Sequence, residues 1–355
     1  MKKVLAILLV VAMLFSFAAC GKKEEPAKEP EKVQWPNGTV TLLAGYEVGS
    51  LTDVNIRTLA DWLTQKYGAS VEVENDAVGG GANLAVKLTQ ADPDGQTLML
   101  IGMNCILNYY NGTWAVSPSN DKLFKVVASA IQPWPYSGCM VLTQGNAPYN
   151  NFDELKAYIE AHPGEVTAAS IPGKVMDVKL KSFLIQTGLA DKVRWVSTTS
   201  ADGNTALLNG TINLVMSDEA SAATKFLPDT EHPTKCVINL RPDNDYSYYP
   251  AETKNLDLIK AQQTLEDVFG KEKAQQINVP NTSVWVVPAE TPDEICDQIA
   301  AAMDAIDKET SGEFYDRCRT NGGTSKYWVL SYDEIMDEYK RIDPIIKQIA
   351  EMNKK

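Results

Sequence analysis

Histidine is nearly absent from this chain: 355 residues hold two, His162 and His232. Each stands alone in front of a proline, so neither has a partner at metal-ligand spacing, and a Ser-His-Asp relay has little to build on. No G-x-S-x-G turn occurs, which removes the usual sequence sign of a serine hydrolase. Positive charge is also short. Lys and Arg number 33 against 46 Asp and Glu, a formal net charge of −13. Nucleic-acid binding needs basic patches, and this balance argues against it. An anionic ligand would be held by local donors rather than drawn in by net charge. Beyond the N-terminus no apolar run reaches membrane-spanning length. Internal repeats of solenoid period are absent. Of the six cysteines, five remain once Cys20 is set aside: Cys105, Cys139, Cys236, Cys296 and Cys318. An odd number without regular spacing is no disulfide framework. It allows one bridge without naming it, and Cys296 and Cys318 fall in helical patterns as apolar residues.

What is present begins with MKKVLAILLVVAMLFSFAAC. Lys2 and Lys3 precede a short apolar stretch, Val4 to Phe17, and the small residues Ala18 and Ala19. That layout is an export signal rather than a span. The ending FAAC-G has the form of a bacterial lipobox, so residues 1–20 are expected to be a leader, with Cys20 carrying a lipid anchor on the outer face of the cell membrane. Residues 21–34 are charged, proline-rich and unable to bury a core, and read as a solvated tether. The folded part starts near Trp35.

From there short apolar runs alternate with amphipathic ones. Val40–Ala44, Val71–Val73 and Thr97–Ile101 read as strands, with helices from Thr52 or Asp53 to Tyr67 and from Ala82 to Gln90. The pattern restarts at Cys139–Thr143 and continues through Thr167–Ser170, Arg194–Val196, Ile212–Met216, Cys236–Leu240 and Ser283–Val287. Long helices are expected near Pro292–Asp307 and Tyr332–Met352. Such alternation predicts α/β units with parallel, doubly wound sheets. Ligands then bind outside the carboxyl ends of the strands. The stretch Thr41–Gly102 is the most informative, because twice a strand runs into a Gly/Ser/Thr/Asp turn that opens a helix. Free N–H groups and a positive dipole end make such turns ready anion sites.

The ordered blocks LLAGYEVGSLTDVNIRTLADWL, VENDAVGGGANLAVKLTQADPDGQTLMLIG, HPGEVTAASIPG, NGTINLVMSD and VWVVPAETPDEICDQI resemble those of the substrate-binding receptors of tripartite tricarboxylate transporters, the Bug-type proteins, over nearly the whole mature chain. The resemblance implies an α/β fold of two lobes like a type II periplasmic binding protein, each a mainly parallel sheet flanked by helices. Residues 35–138 and 236–355 would form one lobe and 139–235 the other, with hinge strands near 139–143 and 236–240. It implies a small carboxylate ligand, in some members an amino acid, held by first-lobe turns and selected by second-lobe loops. It further implies delivery to membrane permease subunits, no enzymatic activity and no cofactor. A monomer is expected.

Carried onto this chain, the first turn is Ala44 to Asp53, with Tyr46 at the aromatic place and Gly49-Ser50 at the usual Gly-Gly. The expected contacts from it are Tyr46, Glu47, Gly49, Ser50, Leu51, Thr52 and Asp53. Gly80, Gly81, Gly102 and Asn104 join them; the run Gly79-Gly80-Gly81 either touches ligand or lets the backbone pass closely. In the second lobe Ser170, Gly173, Lys174, Asp177, Thr198, Thr199, Ser200 and Asp218 are the candidates. Trp285 reads as core, while Trp134, Tyr246, Tyr248 and Tyr249 line a cleft or pack elsewhere. The chain departs from the family at Glu47, where a small residue is common, at Asp177, near a frequent histidine, and at Ser197–Ser200, which replaces a Pro-Tyr-Lys-Gly loop. Glu47 and Asp177 favour a ligand that bears a positive group. Two rival readings are a lipoprotein that senses ligand for a signalling partner and a secreted hydrolase.

Overall fold

A computed structural model describes residues 34–117, 123–130, 138–172, 174–246, 249, 254–279, 283–309 and 332–354. The leader with Cys20, tether residues 21–33, Trp134, Gly173, Tyr248 and Cys318 lie outside them. Trp35–Lys355 form one compact unit.

The first sheet is laid down by β1 (Thr39–Ala44), β2 (Ser70–Asn75), β3 (Thr97–Gly102) and β4 (Phe124–Ala130). Between them run α1 (Leu51–Tyr67), α2 (Ala82–Thr89) and α3 (Asn104–Tyr110). A second set follows: β5 (Cys139–Gln144), α4 (Phe152–Ala161), β6 (Thr167–Ser170), α5 (Val175–Gln186), β7 (Arg194–Ser197), α6 (Ser200–Leu208), β8 (Val215–Asp218) and β9 (Thr234–Asn239). Three short helices, α7 (Leu256–Lys260), α8 (Leu265–Phe269) and α9 (Lys271–Ile277), lead back to β10 (Ser283–Pro288). The chain then continues in α10 (Asp293–Glu309) and α11 (Tyr332–Met352).

The first sheet has the order β2-β1-β3-β10-β4. β1 is parallel to β2 and β3, whereas β10 is antiparallel to both β3 and β4. The second set repeats this plan. β6 is parallel to β7 and, through an Ala168–Leu214 bridge, to the segment entering β8. β5 is antiparallel to β8 and β9. The α/β expectation holds, but both sheets are mixed: each receives one reversed strand, β10 or β5, from the segment that crosses between the sheets. Apolar runs such as VTLLA or VWVV carry no record of strand direction. With both faces covered, β3, β5, β6 and β10 are buried almost throughout, which is why they read as continuous rather than alternating apolar segments.

Local chemistry sets the element ends. Ser50, not Thr52 or Asp53, caps α1: its Oγ accepts the Asp53 N–H at 3.3 Å. Gly68 ends that helix in the left-handed region at φ 66°, where a Cβ is penalised. Trp35 anchors the start of the fold, with its indole N–H donating to Gly95 O at 2.7 Å. Trp285 is buried in the core between α1, α10 and the first sheet. Cys105, Cys139, Cys236 and Cys296 are buried free thiols. Burial pushes Cys105 up to about 12 and Cys139 and Cys296 up to about 11, so they stay protonated and unreactive.

Two ionic clusters are fully enclosed. Lys181 Nζ meets Asp177 Oδ2 at 2.9 Å and also donates to Ser170 Oγ at 2.7 Å and Asn353 Oδ1 at 2.6 Å. It thereby joins β6, α5 and the residue after α11. Arg241 lies beside Glu219, NH1 to Oε2 at 3.3 Å, and Asn239 and Tyr249 also donate to that carboxylate. Gly138 is required here, because a Cβ on it would sit 1.9 Å from Glu219 Oε1. Removing one partner of such a pair strands a buried charge and costs about 3–5 kcal/mol. Lys181→Met should therefore lower the unfolding free energy from urea titration by an amount in that range, while adding Asp177→Leu should restore much of it. An additive double mutant would disprove the coupling.

Candidate functional site

Because the first-sheet strands β1, β2 and β3 run parallel, their carboxyl ends and the following turns lie along one edge. The amino end of the reversed β10, at Ser283, meets Gly102 on that edge. A cleft of about 700 Å³ opens there. One wall is the turn after β1, with Gly45, Tyr46, Glu47, Ser50 and Thr52; the next is Ala77, Gly79 and Gly80, after β2. Asn104, Asn108, Asn111, Thr113 and Ser283 close the floor, and Pro172, Lys174 and Val175 come from the turn after β6 in the second sheet.

The two glycine turns touch through their main chains. A Cβ on Gly45 would lie 2.8 Å from Gly80 O and 3.0 Å from Gly81 Cα. Gly79, Gly80 and Gly81 all have positive φ, 59°, 67° and 88°, a run that only glycine adopts readily. Both readings of this run thus hold together: it permits close backbone passage, and Gly79 and Gly80 also line the cleft. Trp114 Nε1 donates to Gly79 O at 2.8 Å and fixes the turn from below. Asn108 Nδ2 reaches the same carbonyl at 3.5 Å.

Gly102 has a comparable role on the floor. A Cβ there would be 2.7 Å from Asn104 Oδ1, 3.5 Å from the Tyr46 hydroxyl and 3.6 Å from Ser283 Oγ. Its absence lets three polar heads converge. Burial pushes the Tyr46 hydroxyl above the usual phenol range, Cys105 adds to this, and a hydrogen bond with Ser283 partly opposes it. Tyr46 therefore serves as a neutral hydrogen-bonding group.

Several predicted contacts do other work. Asp53 is 1% exposed and does not line the cleft. Its carboxylate accepts from Gly49 N and Asn75 Nδ2, both at 2.8 Å, and from Arg57 Nε at 3.0 Å. Burial opposes its ionisation, but hydrogen bonds from Arg57, Gly49 and Asn75 outweigh that and hold the carboxyl below the usual range. Asn75 also donates to Tyr46 O at 3.1 Å, so Asp53 shapes the β1 turn from behind. Asp177 is likewise 1% exposed; besides Lys181 it accepts Ile171 N at 2.9 Å. It braces the ligand-side turn and presents no open charge, which corrects its reading as an acid facing ligand. Ser170 is buried against Lys181.

Thr199 caps α6, its Oγ1 accepting Asp202 N at 3.1 Å and donating to Asp202 Oδ2 at 2.8 Å. Thr198 N donates to Ser170 O at 2.9 Å. Thr198 and Thr199 are not among the residues around the cleft, and Ser200 opens α6. Leu51 is the first residue of α1, and Gly49 is the positive-φ step before its cap. The side chains of Leu51 and Ser200 are outside the described residues. Asp218 borders a smaller cavity of about 150 Å³ with Ile171, Met176 and Lys225, while its carboxylate caps Ser221 N at 2.8 Å. Tyr249 donates to Glu219 and Tyr246 stacks over Arg241 at 4.2 Å, so these two pack against the buried ion pair.

Sequence reasoning missed Asn108, Asn111, Thr113 and Ser283. The spacing of Asn104, Asn108 and Asn111 places them along one side of a helical turn and was the available signal. A groove of about 560 Å³ at the opposite edge of the second sheet is lined by Gln144, Tyr149 and His232, among others, far from the glycine turns. Among the described residues no three His, Cys, Asp or Glu side chains come together to hold a metal.

Residues 55–225 match the tripartite tricarboxylate transporter family receptor. A UPF0065 protein from the gbd 5′ region of Cupriavidus necator is 29% identical over 163 residues, 46% of this chain and 47% of that protein. One from Agrobacterium vitis is 27% identical over 217 residues, 59% and 60% of the two chains. These matches span about half the length of the curated relatives. A TctC solute-binding protein from Polaromonas superimposes with TM-score 0.70 at 18% identity, covering 91% of this chain and all of the other. MatC from Rhodopseudomonas palustris, solved with malate, gives 0.59 at 17% identity over 88% and 100% of the two chains. A second R. palustris protein, solved with adipate, gives 0.57 at 17% over 90% and 98%. The ordered motifs and the match over residues 55–225 support the tripartite tricarboxylate transporter receptor family, and the superimposed structures agree in fold.

Proposed function

We propose that this protein is an extracytoplasmic, lipid-anchored receptor that captures a small organic acid and delivers it to membrane permease subunits of the tripartite tricarboxylate type. The observation that carries this reading is the cleft itself. Apart from Glu47 and Lys174 its walls are glycine-turn main chain, asparagine amides, hydroxyls and small apolar residues, a donor-rich set suited to hydrogen-bonding a carboxylate. Malate and adipate in the related folds agree with a carboxylate ligand. Residues 35–138 with 236–355, and residues 139–235, are taken as the two lobes, turning on the segments around 139–143 and 236–240. Closure would exclude water and strengthen a small number of polar contacts. The leader and lipobox supply the route out of the cell and the anchor at Cys20. The protein binds and releases its ligand unchanged and acts as a monomer.

Calorimetry of the mature protein against carboxylates and amino acids should find a ligand that is recovered intact; its chemical conversion would move the protein to the enzymes. Gly102→Ala should displace Asn104 and crowd Tyr46 and Ser283, weakening that ligand about tenfold while thermal stability changes little. Unchanged affinity would remove the floor from the site. Asp53 makes a third prediction. Its folded pKa lies below its unfolded one, so its contribution is full above the ordinary carboxylate range and is lost as pH falls through the depressed value. Thermal stability should accordingly decline as pH falls from the ordinary carboxylate range towards that depressed value. In Asp53→Asn, whose side chain does not titrate, stability at neutral pH should be lower and that acid decline should shrink.

A further inference from the structure

The charged groups around the cleft fall into two sets. Asp53 and Asp177 each meet a base four residues later, Arg57 and Lys181, and Glu219 is covered by Arg241. Glu47 and Lys174 are different. Both are exposed, and they line the same cavity, one on the turn after β1 and one on the turn after β6. Neither has an ion-pair partner among the described residues. Every other residue lining this cavity is neutral.

The adjoining cavity repeats the balance. It shares the 171–176 segment as a wall and carries Asp218 and Lys225, again without an ion pair among the described residues. Together the two spaces present two acids and two lysines, so their formal charge is zero. A dicarboxylate entering the larger cleft would find one lysine for two negative groups and Glu47 for the other. Like charges in a partly enclosed site repel far more than in water. A molecule with one cationic and one anionic group meets complementary charge at both walls.

We infer that the cleft selects a zwitterion of no net charge over plain di- and tricarboxylates, Glu47 meeting the ligand's cationic group and Lys174 its anionic group. This rests on the receptor reading and adds the charge type of the ligand and the residue that discriminates. Asp177 takes no part, since Lys181 already neutralises it. Both discriminating residues are exposed, so selection should weaken as salt rises.

The test uses pairs of equal chain plan in which an ammonium replaces one carboxylate: succinate with β-alanine and adipate with δ-aminovalerate, together with the common α-amino acids. Titration calorimetry of the mature protein should show a zwitterion binding at least about tenfold more tightly than its dianion. Glu47→Gln should shrink that ratio to about threefold or less by improving the dianion, and Lys174→Met should weaken both members. Thermal unfolding of the two variants should match the parent, as expected for exposed side chains. Tighter binding of the dianion, or a ratio unmoved by Glu47→Gln, overturns this inference and leaves the receptor reading standing. Failure of every compound in the panel overturns the receptor reading and this inference with it.

Discussion

The contact of two turns through bare main chain governs this site. Gly45 lies against Gly80 and Gly81 with no room for a Cβ on either side. Because the turns meet this way, the main chain of Gly45, Gly79 and Gly80 joins Tyr46, Glu47, Ser50 and Thr52 around the cleft. The three successive positive φ values are the conformational consequence. Trp114, the Asn108 amide and the Asp53 carboxylate then act as braces behind the turns. The glycine-turn part of the cleft wall is preorganised by the fold, with no side-chain rotamers of its own to order.

Such a site has little charge of its own, so the placement of the few charged groups matters. The fold uses most of its nearby carboxylates internally. Asp53 and Asp177 occupy the first turns of α1 and α5, where an acid also suits the helix dipole, and each draws a base from the next turn. Their roles are symmetrical: one braces the turn after β1, the other the turn after β6. The enclosed Lys181 additionally reaches Asn353 beyond α11. α11 itself packs on α3 and β4 of the first sheet and on α5 of the second. The ligand-side turn of the second sheet is therefore tied to a helix that also rests on the first.

The fold was legible where periodicity and punctuation agree. β6 and α11 fall at the residues the pattern predicts, and the β1 and β2 turns are where their glycines put them. Strand direction was not legible, because a strand buried on both faces looks the same either way round. α3 and β4 escaped notice: α3 is seven residues long and has no side-chain cap, too short for a clear helical period. In the site, Tyr46, Glu47, Ser50, Thr52 and Asn104 were found by position after a strand. Asp53 and Asp177 were read as ligand contacts although Arg57 and Lys181 stand four residues on, the spacing of a helical ion pair. Ser283 could not be found from sequence, since it reaches the cleft through a pairing with Gly102 across 181 positions of chain.

That same spacing argument separates the residues that remain. Glu47 is followed four residues later by Leu51 and Lys174 by Val178, and both lie in turns before their helices begin, so neither has a local partner within reach. Their charges are left to solvent or to whatever enters the cleft. An exposed acid costs nothing while the cleft is wet. It becomes a penalty for an anion, or an anchor for a cation, only once water is excluded and the effective dielectric falls. On the proposed reading, charge selection is therefore tied to closure over the ligand: the open cleft would admit either kind of molecule, and the step that buries Glu47 against it would tell them apart.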